Sequence, residues 1–165
     1  MSRLLLKIAA VSIAALPVAA QADWQAVRWG MLPEAVIAAG GGQIQAAEEI
    51  KDKRIFDNYR LATSQATVDG VGYTLDYYFK PKDRKLALIN YFPEKTDCDA
   101  AIASYTKRFG EGKVEVKSME LKPGKPPIIQ TRYSWKDSAR GDHIAAIDLG
   151  VIEYGIRYCQ FLHSN

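Results

Sequence analysis

Alternation of apolar and polar side chains over short segments is the feature that most restricts how this chain folds. Residues 59–63 and 73–79 alternate in this way on either side of Asp69-Gly70, a dipeptide typical of hairpin turns. Residues 86–92 continue the pattern after a short polar segment. Because short connections usually join neighbouring antiparallel strands, these segments predict a three-stranded antiparallel meander.

The second half of the chain has the same character. The hairpin expected over residues 130–147 resembles the one expected over residues 73–89 in length and pattern. This likeness predicts a duplicated helix-plus-three-strand unit, although hairpins of similar length also resemble each other by chance. The further strands are expected near residues 114–116, 129–135, 144–149 and 152–162.

Two segments carry clear helix signals, and a third is compatible with a helix. Pro33 begins the first, and the glycines at 40–42 end it. Residues 43–54 are compatible with a further, partly solvated helix. The second clear helix begins near Cys98 and ends at Gly110, and its apolar residues form one face that must cover something apolar. That face comprises Cys98, Ile102, Tyr105 and Phe109. The predicted fold class is therefore α+β, with two layers in which helices pack on one face of an antiparallel sheet.

Residues 1–22 have the pattern of a signal peptide. Arg3 and Lys7 precede an apolar run, and Ala20-Gln21-Ala22 matches a small-residue cleavage site. The run is shorter than the roughly 20 apolar residues that a transmembrane helix needs. We therefore expect a single α+β domain over residues 23–165, no transmembrane segment in the mature chain, and a periplasmic or secreted protein.

The charge argues against nucleic-acid binding. The chain has 22 Lys and Arg against 19 Asp and Glu, which gives +3, and the predicted leader holds two of the cations. The mature chain is therefore near +1, since 3 − 2 = 1. Proteins that bind nucleic acid cluster many more Lys and Arg side chains to replace phosphate counterions.

The two cysteines, Cys98 and Cys159, predict a disulfide. Oxidising compartments favour disulfides, whereas a structural zinc site needs about four ligands. The only histidines, His143 and His163, do not complete such a site, so we expect no metal. Because Cys98 falls on the sheet-facing side of its helix and Cys159 in the last strand, the bond would join helix to sheet.

Candidate catalytic motifs have simpler explanations. Ser104 and Lys107 have the S-x-x-K spacing of serine β-lactamases, but the companion S-D-N and K-T-G motifs are absent from the sequence. The glycines at 40–42 follow a helix, whereas phosphate-binding loops precede one. Residues 140–142 match a cell-adhesion tripeptide, yet a hairpin tip favours Gly and Asp anyway. We expect no enzyme activity, no catalytic residues and no cofactor.

Aromatic side chains concentrate on the predicted meander, where most of them fit a sheet that covers its core. However, Tyr78 and Tyr91 fall out of phase with Tyr77 and Phe92. Some of these rings must therefore face away from the helices, which leaves a surface for a partner.

Several motifs resemble known exported proteins. The segment 29–36, the Cys98 helix ending at Phe109-Gly110, the Trp135 strand and the terminal segment 156–159 resemble a group of uncharacterised bacterial exported proteins. The pattern Gly30-Met31-x-x-Glu34-x-Val36 is similar to the helix opening of BamE/SmpA-type small domains, which are related in architecture to β-lactamase inhibitor proteins.

These resemblances imply a periplasmic location and a protein-binding role. Together with the missing catalytic set, they lead us to expect a non-enzymatic binding module for a protein partner in the cell envelope. The alternative is a carrier that holds a small apolar ligand between sheet and helices.

Overall fold

The computed structural model describes residues 26–48, 54–94, 97–120 and 122–165. The predicted signal peptide, residues 1–22, lies outside these described residues. The elements in chain order are α1 (Pro33–Ala39), β1 (Gln45–Ala46), β2 (Arg54–Ile55), β3 (Asn58–Val68), β4 (Val71–Phe79), β5 (Leu86–Pro93), α2 (Cys98–Phe109), β6 (Lys113–Met119), β7 (Ile128–Asp137), β8 (Asp142–Val151), a 3₁₀ turn (Ile152–Tyr154) and β9 (Ile156–Ser164).

The nine strands form one sheet in the order β1-β3-β4-β5-β9-β8-β7-β6, and β2 pairs with β3 beside this path. Every pairing is antiparallel. The predicted meander of β3, β4 and β5 is confirmed. The last strand, β9, lies between β5 and β8, so it joins the two halves of the sheet at its centre.

The predicted two-layer α+β class is wrong, because the protein is mainly β. Its helices have only 7 and 12 residues and cover part of one sheet face. The segment 43–54 contributes short strands at its described ends rather than a helix. The predicted duplicated helix-plus-three-strand unit is wrong as well, because α2 is followed by four strands that belong to one continuous sheet.

One face of the sheet carries the main core. Both helices contribute to it, since Val36 of α1 and Tyr105 of α2 belong to the same buried cluster as Tyr73, Tyr77 and Phe161. Because burial of each large apolar side chain contributes about 1.5–3 kcal/mol, this cluster supplies much of the stability. We call this side of the sheet the helix face.

Cys98 and Cys159 form the predicted disulfide, with their Cα atoms 5.9 Å apart. Both cysteines are buried in the main core. The bond fastens the first turn of α2 to β9, so the predicted link between helix and sheet is confirmed. A disulfide is consistent with folding in an oxidising compartment.

The opposite face of the sheet, which we call the open face, carries a second and smaller cluster. Tyr78, Leu88 and Leu162 are buried there, and Ile55 of β2 packs against them. The pairing of β3 with β4 shifts register between Arg60 and Ala62, and such bulges bend a strand. The β2–β3 hairpin therefore leans over the open face and leaves a groove beside it.

Candidate functional site

The groove on the open face has a volume of about 330 Å³. It runs from the β2–β3 hairpin across β5, β9, β8 and β7. Leu88, Ala145 and Leu162 give it an apolar floor, while Arg132 and Ser134 place polar groups at its side. Small-molecule and side-chain binding sites have this size and this mixture of apolar surface with a few polar groups.

Phe56 stands at the tip of the hairpin that borders the groove. Its side chain is 78% exposed. Its backbone has φ of 48°, and Asp57 follows with φ of 63°. The left-handed region is costly for a bulky residue, and such strain concentrates at functional sites. An exposed aromatic ring held in a strained turn is a candidate anchor for a partner.

The hairpin is braced by its own side chains. Asn58 Nδ2 donates to the carbonyl oxygens of Ile55 and Phe56, both at 3.1 Å. The guanidinium of Arg54 lies 4.3 Å from the centre of the Tyr59 ring, a cation–π contact across the hairpin. These contacts fix the backbone of the turn that carries Phe56 before anything binds, which lowers the entropic cost of association.

Polar side chains extend the open face toward β3 and β4. Asp76 accepts hydrogen bonds from Arg60 at 3.2 Å and from Thr63 at 2.9 Å. Asn90 Nδ2 and the Tyr158 hydroxyl both donate to Gln160 Oε1, at 3.3 and 3.1 Å. Asp76 and Asn90 are themselves buried, so these hydrogen bonds stabilise the sheet, and Tyr158 and Gln160 are the parts of the strip that reach the surface.

The aromatic residues divide between the two faces. Tyr73, Tyr77 and Tyr91 lie in the main core on the helix face. Tyr78 packs in the smaller cluster of the open face. Phe92 lies near Tyr158, with ring centroids 6.1 Å apart. Some rings do face away from the helices, as the sequence indicated.

A second polar cluster lies buried between α2 and the sheet. The Tyr105 hydroxyl and His163 Nε2 share a hydrogen bond of 2.7 Å. Burial lowers the pKa of His163 to about 3, and the positive charges of Arg140 and Arg108 add to the shift. Burial also raises the pKa of Tyr105 well above its usual range. The remaining ionisable groups around the cavity at this cluster are Tyr73, Tyr91, Asp137 and Asp142.

This interior cavity has a volume of only about 20 Å³. A cavity of that size holds roughly one water molecule. The Tyr73 hydroxyl is buried there without a hydrogen-bond partner among the described residues. The site can therefore hold a water but has no room for an apolar ligand. The groove on the open face is the better candidate.

The motifs selected from the sequence lie away from the groove. Ser104 Oγ of the S-x-x-K motif donates to Asp69 Oδ2 at 2.6 Å. In the tripeptide 140–142, Asp142 is buried and accepts a 2.6 Å hydrogen bond from Trp29 Nε1. The backbone N–H of Gly40 bonds to carbonyl oxygens of α1, so this glycine ends the helix as expected.

Sequence reasoning missed the hairpin and the groove. The tip follows residues 43–54, whose spacing favours a helix, and Phe56 is followed by Asp rather than the Gly typical of such turns. The only available signal was the Asp57-Asn58 pair, since both residue types tolerate the left-handed conformation. Arg132 and Ser134 reach the groove only through strand pairing, which a local pattern does not show.

Two further properties concern the described residues alone. They contain no group of three or more His, Cys, Asp or Glu side chains that could hold a metal ion. Neither of the helices among them has the length and apolar character needed to cross a membrane.

No protein-family model, curated protein or solved structure matches this chain.

Proposed function

We propose that this protein is a non-enzymatic binding module that docks a protein partner on the open face of its sheet. The observation that carries the proposal is Phe56, 78% exposed at a strained hairpin tip beside a groove of about 330 Å³. Aromatic residues next to a pocket are typical of the few side chains that dominate binding energy at interfaces.

The surroundings of the groove support a protein partner. Its apolar floor suits a side chain, and the polar side chains of Arg132 and Ser134 lie at its side. Interfaces between proteins combine an apolar centre with a polar rim in this way. The likeness to BamE/SmpA-type and β-lactamase-inhibitor-type domains remains a prediction in keeping with this role.

We further propose that the protein acts in the periplasm or outside the cell. The signal-peptide pattern of residues 1–22 supports export. The Cys98–Cys159 disulfide supports an oxidising compartment.

Site-specific photo-crosslinking in the source cells tests the docking surface. A photoreactive phenylalanine analogue replaces Phe56 in one variant and Lys107, on the exposed side of α2, in the control. We expect a discrete protein adduct at position 56 and none at position 107. The same adducts at both positions, or none at position 56, would contradict the proposal.

A further inference from the structure

Four cations share the open face at one end of the sheet. The pairing register places Lys113 opposite Ser134 and Lys117 opposite Gln130, on the same side as Arg132. Lys136 of β7 lies opposite His143 of β8, again on this side. Arg132 and His143 also line the groove, so the positive charge reaches its edge. We call Lys113, Lys117, Arg132 and Lys136 the basic patch.

Negative charge is scarce on the same surface. Among the described residues of β6 to β9, Glu115 is the only acidic side chain on the open face. It forms a 2.8 Å ion pair with Lys113. Lys113, with Lys117 and Arg132 nearby, keeps the pKa of Glu115 below its usual range. The described residues that line the groove include no carboxylate.

Positive charge is therefore more concentrated in the basic patch than in the rest of the molecule. Four cations and one carboxylate give a local charge of +3, since 4 − 1 = 3. The chain after residue 22 carries only +1 in total, because two of the cations behind the overall +3 lie in the leader. The rest of the mature chain is therefore net negative, and the basic patch gives the end of the sheet beside the groove a locally positive field. Such a field attracts a negatively charged partner and orients its approach.

We propose that the protein partner binds through an acidic segment, in which carboxylates contact the basic patch and a neighbouring apolar side chain enters the groove. This inference rests on the proposed function and specifies the chemistry of the partner. A groove of about 330 Å³ with an apolar floor next to the basic patch fits a single apolar side chain flanked by carboxylates, and an acidic polypeptide segment supplies this arrangement.

Two synthetic peptides of equal length test this chemistry, one alternating Glu with Leu and the other Lys with Leu. Binding to the disulfide-bonded protein is followed by amide chemical shifts in NMR. We expect the Glu peptide to shift residues of β7, β8 and β9 around the groove, and the Lys peptide to shift none. Affinity for the Glu peptide should fall about tenfold in the double variant Lys117→Glu and Arg132→Glu, because both ion contacts become repulsive.

The charge-matched control is the double variant Lys82→Glu and Lys107→Glu. These lysines are exposed on the β4–β5 turn and on α2, so the net charge changes equally while the open face is untouched. Its affinity for the Glu peptide should stay within about twofold of the original protein. Equal losses in both double variants, or equal binding of the two peptides, would overturn the inference.

Two outcomes separate this inference from the proposed function. If the adduct at position 56 forms and Lys117→Glu with Arg132→Glu leaves its yield unchanged, docking stands and the acidic partner is refuted. If phosphatidylserine-containing vesicles bind through the basic patch while the Glu peptide does not, the patch recognises a membrane surface and the inference is also refuted. Thermal unfolding of each variant confirms that it is folded.

Discussion

Burial of His163 should make the stability of this protein depend on pH in a range where most small domains change little. The ring is 5% exposed and bonded to the Tyr105 hydroxyl, and its pKa is lowered to about 3. In the unfolded chain a histidine titrates near 6.5. As the pH falls below about 6.5, the unfolded chain therefore takes up a proton that the folded protein excludes. Stability should be full above that pH and should decrease until the pH reaches about 3.

The size of the effect follows from the two pKa values. At pH 5 the unfolded imidazole is almost fully protonated while the folded one, with a pKa of about 3, is neutral. Linkage then predicts a loss of about 2 kcal/mol between pH 7.5 and pH 5. That is a large share of the roughly 5–15 kcal/mol by which domains are usually stable. Carboxylates titrate mainly below pH 5, so the chosen interval isolates the histidine.

Urea unfolding at pH 7.5 and pH 5 measures the loss directly. The sequence has two histidines, which gives a matched pair of variants. His163→Gln should remove most of the pH dependence, whatever it costs at pH 7.5. His143→Gln, at an exposed position, should retain it. A loss of about 2 kcal/mol that persists in His163→Gln, or a stability that is flat over this range, would refute the reasoning.

Three further changes test the fold. Replacing Cys98 and Cys159 by Ala should lower the free energy of unfolding by about 4 kcal/mol in urea titrations, because the bond links residues 61 positions apart in the chain. Equal stability of the original protein with and without reductant would contradict this. Phe56→Asn should raise stability by about 1 kcal/mol in thermal unfolding, since Asn tolerates φ of 48°. Phe56→Ala, which keeps the strain, is the control, and an unchanged midpoint in Phe56→Asn would contradict the strain at this turn. Gly112→Ala should lower the free energy of unfolding by about 1–3 kcal/mol, because the added Cβ would lie 2.7 Å from the Trp135 indole nitrogen. An unchanged urea midpoint would contradict this and show that the ring can move.

Local patterns in the sequence were enough to predict several elements. Side chains alternate with period two in a strand and recur every 3 to 4 residues in a helix, so β4, β5 and α2 could be recognised from residue order. The pairing of Cys98 with Cys159 followed from the presence of two cysteines in a chain with an export pattern. The apolar face of α2 was also correct in part, since Cys98 and Tyr105 are buried.

The fold class and the candidate site depended on contacts between distant residues. The pattern of side chains predicts two helices and many strands. It does not show that β9 inserts between β5 and β8 to make one nine-stranded sheet. Arg132 and Phe56 are far apart in the chain and border one groove only because strand order and the β3 bulge bring them together. The spacing of residues along the chain determines which face of a strand they occupy. Which strands become neighbours, and therefore which side chains meet, was decided by tertiary packing.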